Sequence, residues 1–220
     1  MGQSDEPTDR ERPTHRFDRD FWDERWSDVL REQGEQVAQR PPNAYLTSTV
    51  SSLVPGRALD AGCGHGSEAL WLAAHGWQVT AVDFSATVLA HGRSTAASLG
   101  TDIAERISWI EGDLAIWTPE PEIYDLVSSL YVHVAGSVEE MVSRLATGVA
   151  PSGTLLLVGH LPIDPLTGAE TPAAGQVQVT VEAAAAVLDR HRWEMQIAEE
   201  RPRAAAGTGF DAVICARRRR

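Results

Sequence analysis

Between Asp20 and Glu32 the apolar residues Phe21, Trp22, Trp26, Val29 and Leu30 recur every three to four positions. That spacing predicts an amphipathic helix, ending near Gly34. Pro41 and Pro42 then break the chain before a second helix over Ala44 to Leu53. After Pro55-Gly56 the pattern switches to short apolar runs separated by helical spacing. Strands are expected at Arg57 to Ala61, Gln78 to Phe84, Ile107 to Glu111, Tyr124 to Leu130 and Thr154 to Gly159. The last is continuously apolar, as in a strand buried on both faces. Helices are expected at Ser67 to His75, at Ser85 to Leu99 with Ser85 as cap and Gly100 as stop, and at Val138 to Val149, with Pro151 to Gly153 as a turn. Leu161 to Gly175 reads as an irregular connection, either a lid or a surface loop. Thr180 caps an Ala-rich helix over Val181 to Arg190, and strands at Glu194 to Glu199 and Phe210 to Ala216 pair as a hairpin.

Such alternation implies an α/β fold: a doubly wound, mostly parallel sheet with helices on both sides and right-handed crossovers. Its ligand belongs at the carboxyl ends of the strands, in the loops after Ala61, Val82, Glu111, Leu130 and Val158. Residues 1–16, charged and broken by prolines, read as a disordered leader; 17–54 as an N-terminal helical cap; 55–217 as the α/β domain; 218–220 as a basic tail.

Charge and composition narrow the chemistry. The net charge of −12 opposes capture of a nucleic-acid backbone, so no nucleic-acid partner is expected. Arg217 to Arg220 reads as a solvated terminus. All 19 basic residues are arginine, which excludes a P-loop lysine, a Schiff-base lysine and the Tyr-x-x-x-Lys pair of short-chain dehydrogenases. No apolar run approaches the ~20 residues of a membrane helix. The N-terminus has no secretory pattern, so the expected location is the cytoplasm, with Cys63 and Cys215 as reduced thiols and no metal site. Monomer and homodimer both remain open.

The chemical signal is Ala58-Leu-Asp-Ala-Gly-Cys-Gly-His-Gly66, where a buried strand gives way to a helix. Glycines at 62, 64 and 66 permit a sharp turn and close approach to a ligand, and the following helix offers free N–H groups. The spacing Gly-x-Gly-x-Gly, with an acid two residues ahead, differs from the Gly-x-Gly-x-x-Gly fingerprint of dinucleotide binding. It resembles motif I of the class I S-adenosylmethionine-dependent methyltransferases. Asp83 follows about twenty residues later at the end of the second strand, where a carboxylate can accept from both ribose hydroxyls. Glu111-Gly-Asp113-Leu114 resembles that family's adenine-side loop, Tyr124 to Leu130 its fourth-strand motif, and Pro151 to Val158 the segment entering its fifth strand.

That resemblance implies a seven-stranded sheet of order 3-2-1-4-5-7-6 with the last strand antiparallel, and S-adenosyl-L-methionine as cofactor with S-adenosyl-L-homocysteine as product. The cofactor-binding residues it implies are Asp60, Ala61, Gly62, Cys63, Gly64, Gly66, Asp83, Phe84, Ser85, Gly112, Asp113, Leu114 and Ser129. Phe21 to Trp26 is similar to the Trp-x-x-x-Trp helix of thiopurine and tellurite-resistance methyltransferases. This adds Trp22 and Trp26 as a cation-attracting wall beside the sulfonium, with core packing as the alternative. The Thr-Pro-Trp-Asp signature of those relatives is replaced by Pro41-Pro-Asn-Ala-Tyr-Leu46. His133 and His160 are the candidate acid/base residues, although in-line methyl transfer from an activated sulfonium needs no base. The expected function is methyl transfer to a small-molecule acceptor. A nicotinamide-dependent oxidoreductase and a non-catalytic cofactor-binding module are the alternatives.

Overall fold

The computed structural model describes residues 19–134, 136–171, 173–203 and 209–220, so the leader expected at 1–16 lies outside the described residues. Two helices, α1 (Arg19–Ala38) and α2 (Ala44–Val50), precede the sheet. The alternating region supplies β1 (Arg57–Ala61), α3 (Ser67–Ala74), β2 (Gln78–Asp83), α4 (Ala86–Leu99), α5 (Thr101–Ala104), β3 (Ile107–Glu111), β4 (Tyr124–Leu130), α6 (Val138–Gly148) and β5 (Val149–His160). Then come α7 (Val181–Val187), β6 (Trp193–Pro202) and β7 (Phe210–Arg218). The seven strands order as β3-β2-β1-β4-β5-β7-β6, with β7 antiparallel to both neighbours. The expected sheet is therefore borne out. Among the described residues no helix is long and apolar enough to cross a membrane.

Along the central strands burial is nearly continuous, and successive side chains enter opposite cores. Leu155 and Leu157 of β5 enter the core beneath α6 and α7, with Val127, Met141, Leu145 and Ile214. Leu156 and Val158 enter the opposite core, with Leu72, Trp77, Val79, Leu126 and Val213 beneath α2 and α3. β5 is thus apolar throughout because both faces are covered, the situation of a central strand in a doubly wound sheet.

Several elements depart from the sequence expectation for local reasons. α1 was expected to stop near Gly34. It breaks helical geometry at Gln33 (φ −136°, ψ 22°) and continues to Ala38, a continuation that seats Val37 in the interior. Pro151 to Gly153 was expected as a turn before β5. The strand instead begins at Val149, and the extra residues are taken up in a register shift between Tyr124 and Leu126 of β4, with Ser152 at φ +67°. β6 and β7 run longer than their apolar patterns, because the hairpin pairs from Trp193↔Arg218 to Pro202↔Phe210 regardless of side-chain polarity.

This register brings functional loops to one edge. Asp60 of β1 stands beside Ala81 of β2 and Ser128 of β4, and Asp83 beside Glu111 of β3, so the first four strands end together. The loop after β1 is pinned there: Gly62 and Cys63 both donate their backbone N–H to the Val82 carbonyl, at 2.8 and 3.0 Å.

Next along the same edge, Gly159 in β5 lies against the backbone of Val179, and a Cβ there would fall well inside contact distance of the Val179 carbonyl oxygen. Gly159→Ala is expected to lower stability by about 1–3 kcal/mol through overpacking. The check is the urea midpoint of the full chain, and an unchanged midpoint would contradict this packing.

Candidate functional site

Why the glycine turn has this composition is visible in its neighbours. Gly62 (φ +79°) and Gly64 (φ +51°) both occupy left-handed backbone that disfavours other residues. A Cβ on Gly62 would collide with the Val132 side chain after β4, and one on Gly64 would come within 3.2 Å of the Trp26 indole. The turn therefore lies flush against the β4 loop on one side and α1 on the other.

At the end of β2 the Asp83 carboxylate is gripped from both sides by backbone. Gly64 N–H donates to Oδ2 at 2.9 Å and Ser85 N–H to Oδ1 at 3.0 Å. Burial pushes its pKa up, and these donors pull it back. Ser85 is 1% exposed; its Oγ accepts from Val88 N–H at 3.4 Å, capping α4, and donates to Asp23 of α1. The helix that carries the two tryptophans is thereby tied to the turn after β2.

A cavity of about 610 Å³ opens at this edge. Of the residues expected from sequence, Trp22, Trp26, Gly62, Cys63, Gly64, Asp83, Phe84, Asp113, Leu114 and His133 line it. Asp60, Ala61, Gly66, Ser85, Gly112, Ser129 and His160 do not line it; they stand behind it. Asp60 is 2% exposed, and its Oδ2 has no hydrogen-bond partner among the described residues. Burial foremost, and then the nearby Glu68, hold the Asp60 carboxyl well above the usual carboxylate range. Gly112 donates its N–H to the Asp83 carbonyl at 2.9 Å, and Ser129 is buried beneath the edge. Asp113 accepts the Ala115 N–H at 2.8 Å, which shapes the turn after β3.

The tryptophans four residues apart both line the cavity, and each takes its own ring partner. Trp26 tilts over His65 at 5.6 Å between ring centroids, and Trp22 stacks on His133 at 4.7 Å. Together they roof the cavity from the glycine turn to the β4 loop.

Sequence reasoning missed Arg40, Asn43, the His65 ring and Glu68, all in the lining; Tyr131, which follows β4 beside His133, also lines it. Glu68 receives Asn43 N–H at 3.0 Å, so the linker between α1 and α2 docks on the first turn of α3. Pro41-Pro-Asn was read only as a helix break, and Asn43 as N-cap of α2, bonding Tyr45 N–H at 2.8 Å, was the one available signal.

Beside the cavity lies a second polar cluster. Tyr131, held at φ +57°, donates its hydroxyl to Asp211 at 3.0 Å and stacks on His160 at 4.0 Å. Asp211 is wholly buried; Arg203 Nε donates to it at 3.3 Å. His160 Nδ1 is 2.9 Å from Asp211 Oδ1 and 2.7 Å from an Arg203 terminal nitrogen. One ring nitrogen cannot donate to the carboxylate and accept from the guanidinium at once, so only one contact is a hydrogen bond in each tautomer. Burial first, then the negative Asp211, raises the Tyr131 pKa, which keeps the phenol protonated and a donor.

A seven-stranded sheet of this order, with a glycine turn after β1 and an acidic residue after β2, defines the Rossmann-like S-adenosylmethionine-dependent methyltransferases. Within this chain, residues 58–153 match the family model described as "Methyltransferase domain". The ribosomal RNA small subunit methyltransferase C of Alcanivorax borkumensis is 29% identical over 110 residues, covering 48% of this chain and 33% of that protein. The chain thus spans about a third of the length of that curated relative. An S-adenosylmethionine-dependent methyltransferase from Mesorhizobium loti shares the fold with a TM-score of 0.60 at 21% identity, over 80% of this chain and 99% of that one. A geranyl diphosphate methyltransferase bound to geranyl diphosphate and sinefungin shares it with a TM-score of 0.63 at 15% identity, over 90% and 83%.

One consequence concerns acid. Burial, then the positive charges of Arg40 and His91, lower the His65 pKa to about 4. The unfolded chain takes up this proton below ~6.5, so the neutral ring's contribution is complete above that pH and is lost as pH falls toward 4. His65→Gln is expected to flatten the decline of melting temperature between pH 6.5 and 4, and parallel curves for variant and parent would refute the assignment.

Proposed function

We propose that the chain transfers the methyl group of S-adenosylmethionine to a small-molecule acceptor in the cytoplasm. The observation that carries this reading is the cavity itself, floored by the glycine turn, edged by Asp83 and roofed by Trp22 and Trp26. The bound cofactor would supply a methyl group already activated on a cationic sulfur.

The residues present fit that compound. Asp83, oriented by two backbone donors, is placed to accept from ribose hydroxyls. Asp60, with an unsatisfied buried oxygen, and Glu68 supply negative potential beneath the glycine turn for a cationic amino acid. Trp22 and Trp26 add indole faces that attract a sulfonium and exclude water. Asp113 and Leu114 border the adenine side, and Gly62, Cys63 and Gly64 approach the methionine part with backbone alone. Ala61, Gly66, Ser85, Gly112 and Ser129 would act by holding these groups in place.

On the acceptor side the wall is Tyr131, Val132 and His133. Tyr131 as a protonated donor can orient an acceptor heteroatom, and placement in line with the sulfur supplies most of the rate. An α1 roof over the cavity favours a small acceptor, and the charge of −12 disfavours a polyanionic RNA.

Three measurements test this. S-adenosylmethionine and S-adenosylhomocysteine are expected to raise the melting temperature by several degrees and NAD to leave it unchanged; stabilisation by NAD alone would overturn the reading. Asp83→Ala should weaken S-adenosylhomocysteine at least tenfold by calorimetry. Release of S-adenosylhomocysteine with a panel of thiols, halides, phenols and amines separates a catalyst from a binding module, and turnover confined to ribosomal RNA would overturn the small-molecule acceptor.

A further inference from the structure

The long connection between β5 and α7 passes behind the cavity wall at Gln178, a side chain only 7% exposed that contacts His133 of the lining. Its carboxamide orientation is fixed by one contact. His160 backbone N–H lies 2.6 Å from Gln178 Oε1, and a backbone N–H can only donate, so the oxygen must face it. The amide nitrogen then points the other way, with Gln176 Oε1 at 3.2 Å and His133 Nε2 at 3.3 Å. Two protons meet two acceptors.

An NH₂ group has donors only, so His133 Nε2 must offer its lone pair to it. From this geometry we propose that Gln178 is a positioning residue that locks His133 as a neutral imidazole, protonated on Nδ1, in the wall of the cavity. Protonation at Nε2 would set N–H against N–H. Among the described residues, the charged groups near His133 act in the same sense. Trp22 of α1 covers one ring face, Arg25 of α1 and His160 of β5 contribute positive charge, and the Asp211 carboxylate beyond His160 is engaged by Tyr131 and Arg203. Burial first, then the charges of His160 and Arg25, bring the His133 pKa to about 4.

The lock closes Nε2 of His133 to general-base work. It also keeps a positive charge out of a cavity that, on the function proposed above, receives a sulfonium. Gln178 thereby preserves preference for the charged cofactor over its product, whose sulfur is neutral. The tautomer half of the inference rests on this chain's geometry alone; the cofactor half rests on the methyltransferase reading.

The experiment is nuclear magnetic resonance of the histidine rings in the isotopically labelled full chain. Native His133 is expected to show a bare Nε2, a protonated Nδ1 and no titration above pH 5. A native ring protonated on Nε2, or titrating near 6.5, would overturn the lock without any variant. In Gln178→Glu the carboxylate accepts from both His160 N–H and His133 Nε2–H, so the tautomer should switch and the titration move above 6.5, a rise in proton affinity of roughly a hundredfold or more. An unchanged ring in the folded variant would also overturn the lock. For the cofactor half, the affinity ratio of S-adenosylmethionine to S-adenosylhomocysteine should fall several-fold more steeply between pH 7.5 and 5.5 in Gln178→Glu than in the native chain; equal slopes would overturn it. Failure of both compounds to bind the native chain would overturn the methyltransferase reading and this half with it, while the ring shifts still decide the tautomer.

Discussion

A buried carboxylate at the end of β2 organises the ligand edge. Asp83 must satisfy its charge without water, and it does so with two backbone N–H groups, one from the glycine turn after β1 and one from the turn that starts α4. Each is a charge-assisted hydrogen bond, of the order of 1.5–3 kcal/mol. The glycine turn cannot move without leaving that acceptor unsatisfied. Through Ser85 the same turn holds Asp23, and through Asp23 it holds the helix whose tryptophans roof the cavity. Floor, edge and roof are therefore mechanically one unit.

Around that unit burial shifts several titratable groups. Asp60, Glu68 and Asp83 cluster beneath and beside the glycine turn, each with its pKa raised by burial. Such a cluster is costly when empty and attractive to a cation, since a bound positive charge relieves the repulsion among the acids. The two histidines of the lining, His65 in the glycine turn and His133 after β4, are both neutral near pH 7 because burial lowers their pKa to about 4. The buried Asp211, beyond His160, is already engaged by the Tyr131 hydroxyl and the Arg203 guanidinium.

The tyrosine at the end of β4 shows how backbone strain accompanies this arrangement. Tyr131 sits at φ +57°, unusual for a bulky residue, while its N–H reaches the Val158 carbonyl at 2.7 Å and its hydroxyl reaches Asp211. Non-glycine residues in such conformations cost on the order of 1–3 kcal/mol and persist where surrounding contacts over-determine them. Here three strands, β4, β5 and β7, supply those contacts at the mouth of the cavity.

By itself the sequence determined the strand-helix alternation, the placement of β1, β3 and β4, the cap at Ser85, and the glycine turn with its two flanking acids. These are local matters: periodicity, turn chemistry and spacing act over a few residues. Tertiary structure decided what depends on approach across the sheet. It gave Trp22 and Trp26 different rings to pack on, and it brought Asn43, from a segment that read as a helix break, into the lining beside Glu68 of α3. It extended β6 and β7 by backbone pairing, which is indifferent to side-chain pattern. It also set Gln178 between His133 and His160, residues separated by long stretches of chain. No short-range rule encodes such a meeting, because it follows from the order in which the strands lie side by side.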